Sequence, residues 1–359
     1  MPPPSYGGTE AVVDNLARGL AARGHEVRLF TVGDSSCPVR RSWFFEHSVQ
    51  PTGETVPEAA HVVAAYEDLA DCDLIHDHTI LGPLLWARTR GGTPLVTTNH
   101  GEFTVPVRKI YSAMAGRIAI VAISHSQRDS APEIPVEAVI HHGIDLHRYR
   151  YGPGGGGYLL FLGRMSPNKG VHDAIRLARR AGRRLILVTK MWEPGERLYF
   201  SQEVLPLLGE DVELLTETTL PQRIELLRHA DALIDPIRWP EPFGLVMAEA
   251  LACGTPVLAF PRGAAPEIVD HGQTGFLYDD ETLLVDAPIE SIDRHACRIA
   301  AERRFSVERM TRDHELLYER LLAAADGPDS RTTVPLTDPA IRPSKHRLRS
   351  APGRARHAS

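Results

Sequence analysis

Apolar positions along the chain follow two alternating patterns. Short β-branched runs, at Glu26–Val32, Asp73–His78, Pro94–Asn99, Ile118–Ile123 and Val136–His141, read as buried strands of a parallel sheet. Longer stretches between them have helical spacing; Thr9–Arg23 carries Val12, Val13, Leu16, Leu20 and Ala21 as one stripe. After Tyr151-Gly152-Pro153 come four consecutive glycines, Gly154 to Gly157, which suit the interior of neither a helix nor a strand. The alternation then resumes with Tyr158–Leu162, Leu185–Lys190, Val212–Leu215, Ala232–Asp235 and Pro256–Phe260. The pattern predicts an α/β chain of two Rossmann-like doubly wound domains, residues 1–150 and 151–304, facing across a cleft. A helix over 305–324 is expected to pack back toward the first domain, and 325–359 reads as a disordered basic tail.

The opening of the chain departs from this plan. A doubly wound domain begins with a strand and a Gly-rich turn, yet only five residues precede Tyr6-Gly7-Gly8-Thr9. Pro2-Pro3-Pro4 cannot donate to a sheet ladder, so the first strand is expected to be missing. A true start upstream of Met1 is the favoured explanation.

Composition narrows the function. With 359 residues, 43% hydrophobic and 24% charged, the chain has the make-up of an ordinary globular protein of two domains. It lacks the run of ~20 apolar residues that a bilayer span needs, and its first residues lack secretory-signal features. Four cysteines without CxxC spacing argue against a zinc ribbon or disulfide framework, and the expected location is cytoplasmic. The net charge of −6 divides into −10 over residues 1–324 and +4 over the tail. An acidic body argues against a nucleic-acid binder, and the tail offers at most weak peripheral contact with an anionic membrane.

The densest chemical signal runs from Trp239 to Val257, where Pro240, Pro242 and Gly244 precede an apolar helical stripe. The N-terminus of such a helix favours an anion such as phosphate. Glu241 lies just before it and Glu249 inside it, about 8 Å along at ~1.5 Å per residue, the length of a diphosphate. Either acid alone is read more simply as complementing the helix dipole; the whole string points further. A second cluster, Leu162-Gly163-Arg164-Met165-Ser166-Pro167-Asn168-Lys169-Gly170, follows a strand and sets two cations where both can face one diphosphate. Fixed cations of this kind stabilise a departing nucleoside diphosphate without a metal. Asp71-Cys72-Asp73 fits a metal-binding formula but reads as a helix-to-strand turn. In His76-Asp77-His78, strand alternation puts both histidines on one face and Asp77 on the other, a weak metal site. Trp43-Phe44-Phe45 is placed in a loop.

Taken together, Glu241…Glu249 with seven residues between, the Gly163–Gly170 loop and the Gly7-Gly8-Thr9-Glu10 turn resemble the retaining glycosyltransferases of family 4. The runs Ala264-Ala265-Pro266-Glu267-Ile268-Val269 and Gly272-Gln273-Thr274-Gly275-Phe276-Leu277 match as well. The resemblance covers about residues 5–325 and implies the GT-B fold, a nucleotide-diphosphate sugar as donor, a hydroxyl acceptor, and no resident metal or cofactor. It implies that Arg164 and Lys169 bind the donor diphosphate, Glu241 the sugar hydroxyls and Glu249 the ribose. Amides of Phe243, Gly244 and Leu245 would meet phosphate, Gly7 and Gly8 would admit the diphosphate, and Lys190 would lie near the nucleotide. His100 matches the family's histidine near the reacting sugar, while Tyr6 and His78 are candidates on the acceptor side. The reading is transfer of a hexose-type sugar. A catalytically silent nucleotide-binding relic and a nucleotide-sugar epimerase are the alternatives.

Overall fold

The structure is a computed structural model and describes residues 7–49, 54–89, 92–216 and 218–325. Tyr6 and the tail from residue 326 lie outside the described residues, as does any strand ahead of the Gly7-Gly8 turn. Two parallel α/β domains are present. The first contains β1 (Arg28–Thr31), β2 (Arg40–Trp43), β3 (Ile75–Asp77), β4 (Leu95–Thr98), β5 (Ala119–Ala122) and β6 (Val136–Val139). The second contains β7 (Tyr158–Arg164), β8 (Arg184–Lys190), β9 (Val212–Thr216), β10 (Ala232–Asp235), β11 (Val257–Ala259) and β12 (Gly275–Leu277).

In the second domain one six-stranded sheet runs in the order β12-β11-β10-β7-β8-β9. Its chain order reverses at β7, flanked by β10 on one side and β8 on the other. The crevice at such a switch point is where open α/β sheets hold ligands. Here β7 ends at Arg164 and β10 at Asp235. Strand residues Leu159, Leu160, Phe161 and Leu233 and the helix residues Ala174, Ile175 and Leu251 are fully buried around this sheet, forming its core.

Among the described residues of the first domain the strands form two sheets that share no ladder, β1–β2 and β3-β4-β5-β6. The opening helix (Gly8–Ala22) lays Val12 and Leu16 on Val96, Val121 and Ile140. The helix Val307–Ala325 joins the same cluster through Met310 and Leu317, so the last helix among the described residues packs on the first domain. No helix among the described residues is long and apolar enough to cross a membrane.

Two elements differ from the sequence expectations. Trp43 closes β2 rather than lying in a loop, and β12 is an additional strand. β2 reads Arg-Arg-Ser-Trp, a polar edge strand with no apolar run to mark it. The glycine run is also not a free hinge. Gly152, Gly154 and Gly156 donate their N–H groups to Cys253, Arg228 and His229 carbonyls of the second domain. The Arg294 guanidinium adds bonds to the Gly152, Arg228 and Ala230 carbonyls and the Thr255 hydroxyl, at 2.9–3.1 Å. Removing this half-buried guanidinium leaves several acceptors unpaired, at a cost of about 2–3 kcal/mol. Arg294→Met should therefore lower the melting temperature by several degrees, measured by calorimetry; an unchanged value would remove Arg294 from this role.

Candidate active site

A cavity of about 460 Å³ lies between the domains. Gly7 and Gly8 line it at the start of the opening helix, and Leu245 and Val246 at the start of the helix Leu245–Ala252. Two helix N-termini therefore converge on one space, and a side-chain methyl added at Gly8 would sit 3.1 Å from the Leu245 side chain. The N-cap residues are Gly7 and Gly244, with no side chain to cover the first N–H groups. Aligned N–H groups and helix dipoles make this end of the cavity attractive to an anion.

Gly244 adopts φ +93°, and a side chain there would strike Met247. Only glycine takes this left-handed turn cheaply, so it aims the helix start at the cavity. Gly263, at φ +54°, lies directly against the Glu241 backbone. No larger residue fits, and Ala264 N–H donates to the Glu241 carbonyl at 2.9 Å. Main-chain packing and hydrogen bonding thus fix the backbone of the segment carrying Glu241.

Of the residues named from sequence, the cavity wall includes Gly7, Gly8, Lys190, Leu245 and Glu249. The Glu249 carboxylate accepts from the Tyr149 hydroxyl at 2.6 Å. Burial raises the Glu249 carboxyl above its ordinary value, with the Tyr149 bond and the nearby Arg223 acting in the opposite sense. Tyr149, Arg223 and Trp192 line the cavity and were not foreseen. The Lys190 ammonium sits 4.4 Å from the Trp192 ring centroid, a cation–π contact at the end of β8.

Lys169 and Glu241 are not among the cavity-lining residues; they meet each other, with Nζ 2.7 Å from Oε2 and both side chains largely buried. Arg164, also outside the lining, ends β7 with a nitrogen 3.9 Å from Glu196 Oε1. The Phe243 ring is buried against His141, His142 and Phe305 rather than in the cavity.

His76 and His78 do share a face, with ring centroids 4.2 Å apart, while Asp77 turns away to accept from the Tyr66 hydroxyl at 2.6 Å. The pair belongs to a string of imidazoles. His78 bonds His100 at 2.9 Å, His100 approaches His142 at 3.4 Å, and His76 bonds the Tyr318 hydroxyl and Thr98. Burial pushes His100 and His314 down to about 4, and takes His76, His78 and His142 well below the ordinary histidine value. These imidazoles are neutral near pH 7, able to donate and accept hydrogen bonds to hydroxyl groups. Gln127 holds the loop that carries His100: its Nε2 donates to the carbonyls of Asn99 at 3.0 Å and Gly101 at 2.6 Å.

The group 1 glycosyl transferase model matches residues 150–294, and the glycosyltransferase family 4 model matches residues 6–148. The chain is a family 4 glycosyltransferase of the GT-B fold. It is 27% identical to glycogen synthase of Mycobacterium tuberculosis over 352 residues, covering 76% of this chain and 79% of that protein. Among solved structures it is similar to AviGT4, a glycosyltransferase of avilamycin A biosynthesis, at 28% identity and TM-score 0.66. That match covers 90% of this chain and 92% of AviGT4. The fold also matches Anabaena HepE in complex with UDP and glucose, at 21% identity and TM-score 0.71, over 88% of this chain and 97% of HepE.

This glycosyltransferase carries one further ionisable group that its sequence did not advertise. Asp235, at the end of β10 and 3% exposed, has its carboxyl raised to about 7 by burial; Lys169 opposes the rise and Glu241 adds to it. An ordinary aspartate loses its proton near ~3.9. Between about pH 4 and 7 the folded chain therefore keeps a proton the unfolded chain has released, and stability falls as pH rises through that window. Asp235→Asn removes the penalty. At pH 8 the variant should be more stable than the wild type by on the order of a few kcal/mol, with the gain vanishing near pH 4. A gain independent of pH, measured by scanning calorimetry, would show that Asp235 does not titrate in this way.

Proposed function

We propose that this glycosyltransferase moves a hexose-type sugar from a nucleotide-diphosphate sugar to an acceptor hydroxyl with retention of configuration. The observation that carries the reading is the cavity itself, with two uncovered helix N-termini at one side and Glu249 and Lys190 on its walls. A carboxylate suits ribose hydroxyls, and converging N–H groups suit a diphosphate. HepE, whose solved structure holds UDP and glucose, supports a uridine nucleotide as the first donor to test.

At the switch point, Arg164 and Lys169 supply positive charge toward the departing diphosphate, and Glu241 grips sugar hydroxyls. The Glu241 carboxylate is already engaged by Lys169 at 2.7 Å, which suits it to binding rather than to attack on the anomeric carbon. We therefore favour front-face attack, the acceptor hydroxyl giving its proton to the leaving phosphate. In this reading His100, near the reacting sugar, and the neighbouring His78, on the acceptor side, act as neutral hydrogen-bonding groups. No resident metal is assigned a role.

Arg164 is half-exposed, so its truncation should spare the fold. Arg164→Ala should lower turnover of the preferred donor by on the order of 10²-fold or more, as loss of a transition-state charge partner does. A fall of only a few-fold would overturn the assignment of Arg164. Sugar released or transferred marks a transferase, whereas conversion of the donor to its epimer without an acceptor would support the epimerase.

A further inference from the structure

Glu267 lies in the short helix Ala265–Ile268 of the second domain, yet its side chain bonds only the first. Oε1 accepts from Ser126 N–H at 2.7 Å, while Oε2 accepts from His125 N–H at 2.8 Å and faces His141 Nε2 at 2.8 Å. Burial would raise its carboxyl, but these three hydrogen bonds outweigh burial and hold it below the usual glutamate value. From behind, Arg304 steadies the same segment through the Glu267 and Ile268 carbonyls and a two-pronged contact with Asp270.

Both segments that Glu267 grips lead to His100. His125 and Ser126 open the helix His125–Ser130, whose Gln127 holds the carbonyls on either side of His100. Gln127 is itself locked, taking Ile123 N–H on its oxygen at 2.8 Å and donating its own N–H to Ser124 at 2.9 Å. His141 precedes His142, whose ring approaches the His100 ring, and Arg309 pins the carbonyls of both at 2.7 and 3.0 Å. One carboxylate of the donor-side domain thus reaches the His100 loop by two routes.

We propose that Glu267 is a positioning residue, coupling the donor-binding domain to the His100 loop through Gln127 and His141. The consequence for turnover rests on the glycosyl-transfer reading above; the mechanical coupling does not. Displacement of a reacting group by ~1 Å costs up to 10²-fold in rate. A carboxylate bonded to main-chain N–H groups is the strong, charge-assisted form of such a tether.

The test uses the full chain with Glu267→Ala, Gln127→Ala and the double variant, read by amide hydrogen exchange and by kinetics. Glu267→Ala should speed exchange at His125, Ser126 and Gly101. It should lower kcat on the order of tenfold while the affinity for UDP changes less than about twofold, because the nucleotide cavity is untouched. The double variant should lose less than the product of the two single losses, since one of the two routes from Glu267 to the His100 loop runs through Gln127. Unchanged exchange at Gly101 in Glu267→Ala would overturn the coupling even if no donor were turned over. Fully additive rate losses, or an unaltered kcat, would overturn its role in transfer.

Discussion

The ammonium of Lys169 sets the charge balance of the cleft. It lies 2.7 Å from the Glu241 carboxylate in a largely buried setting, and its field also reaches the buried Asp235. Charges removed from water are tolerable only when paired and hydrogen-bonded, and removal of one partner leaves the other stranded. The surrounding backbone follows from this constraint. Gly263 lets the Glu241 segment lie flat against its neighbour, and the Lys169 turn closes directly after the strand that ends in Arg164. Lys169 is thus already held in place by Glu241, at the switch point where β7 and β10 end.

The two domains contribute different chemistry. The second supplies buried carboxylates, arginine and lysine around the sheet's switch point, a setting for anions and hydroxyls. The first supplies neutral imidazoles, His78, His100 and His142, whose charge is suppressed by burial. The chain crosses between the domains at neighbouring points: Ile144 and Phe305–Val307 pair by main-chain hydrogen bonds beside the Glu267 contact. Donor charge and acceptor hydroxyl can then be aligned by rigid elements rather than by loops alone.

Much of this was legible from the order of residues. Alternating apolar runs located ten of the strands, because buried parallel strands are continuous β-branched stretches. Glu241 and Glu249 were readable because a proline-glycine start and an apolar stripe announce the helix between them. The remainder was hidden for identifiable reasons. β2 is polar, and β12 opens on Gly275 directly after the turn residues Gly272-Gln273-Thr274 and holds no β-branched residue, so neither stands out as a strand. Asp235 looks like the polar end of an apolar strand until tertiary structure brings Lys169 and Glu241 beside it. His76 and His78 could be assigned one face by alternation, but His100, His142 and His314 join them only when three separate segments converge. The cavity lining likewise separates residues that local sequence grouped together, keeping Glu249 and leaving Glu241 in its ion pair.

In the proposed reading, the space between the domains is a nucleotide site centred on Glu249 and two helix N-termini. Titration calorimetry with UDP, GDP, TDP and ADP tests it most directly, repeated on Glu249→Ala with the nucleotide that binds best. One diphosphate should bind in preference to the others, and Glu249→Ala should lose affinity on the order of tenfold or more, the equivalent of a lost charged hydrogen bond. Binding of equal strength to the wild type and Glu249→Ala, or to none of the four, would contradict it.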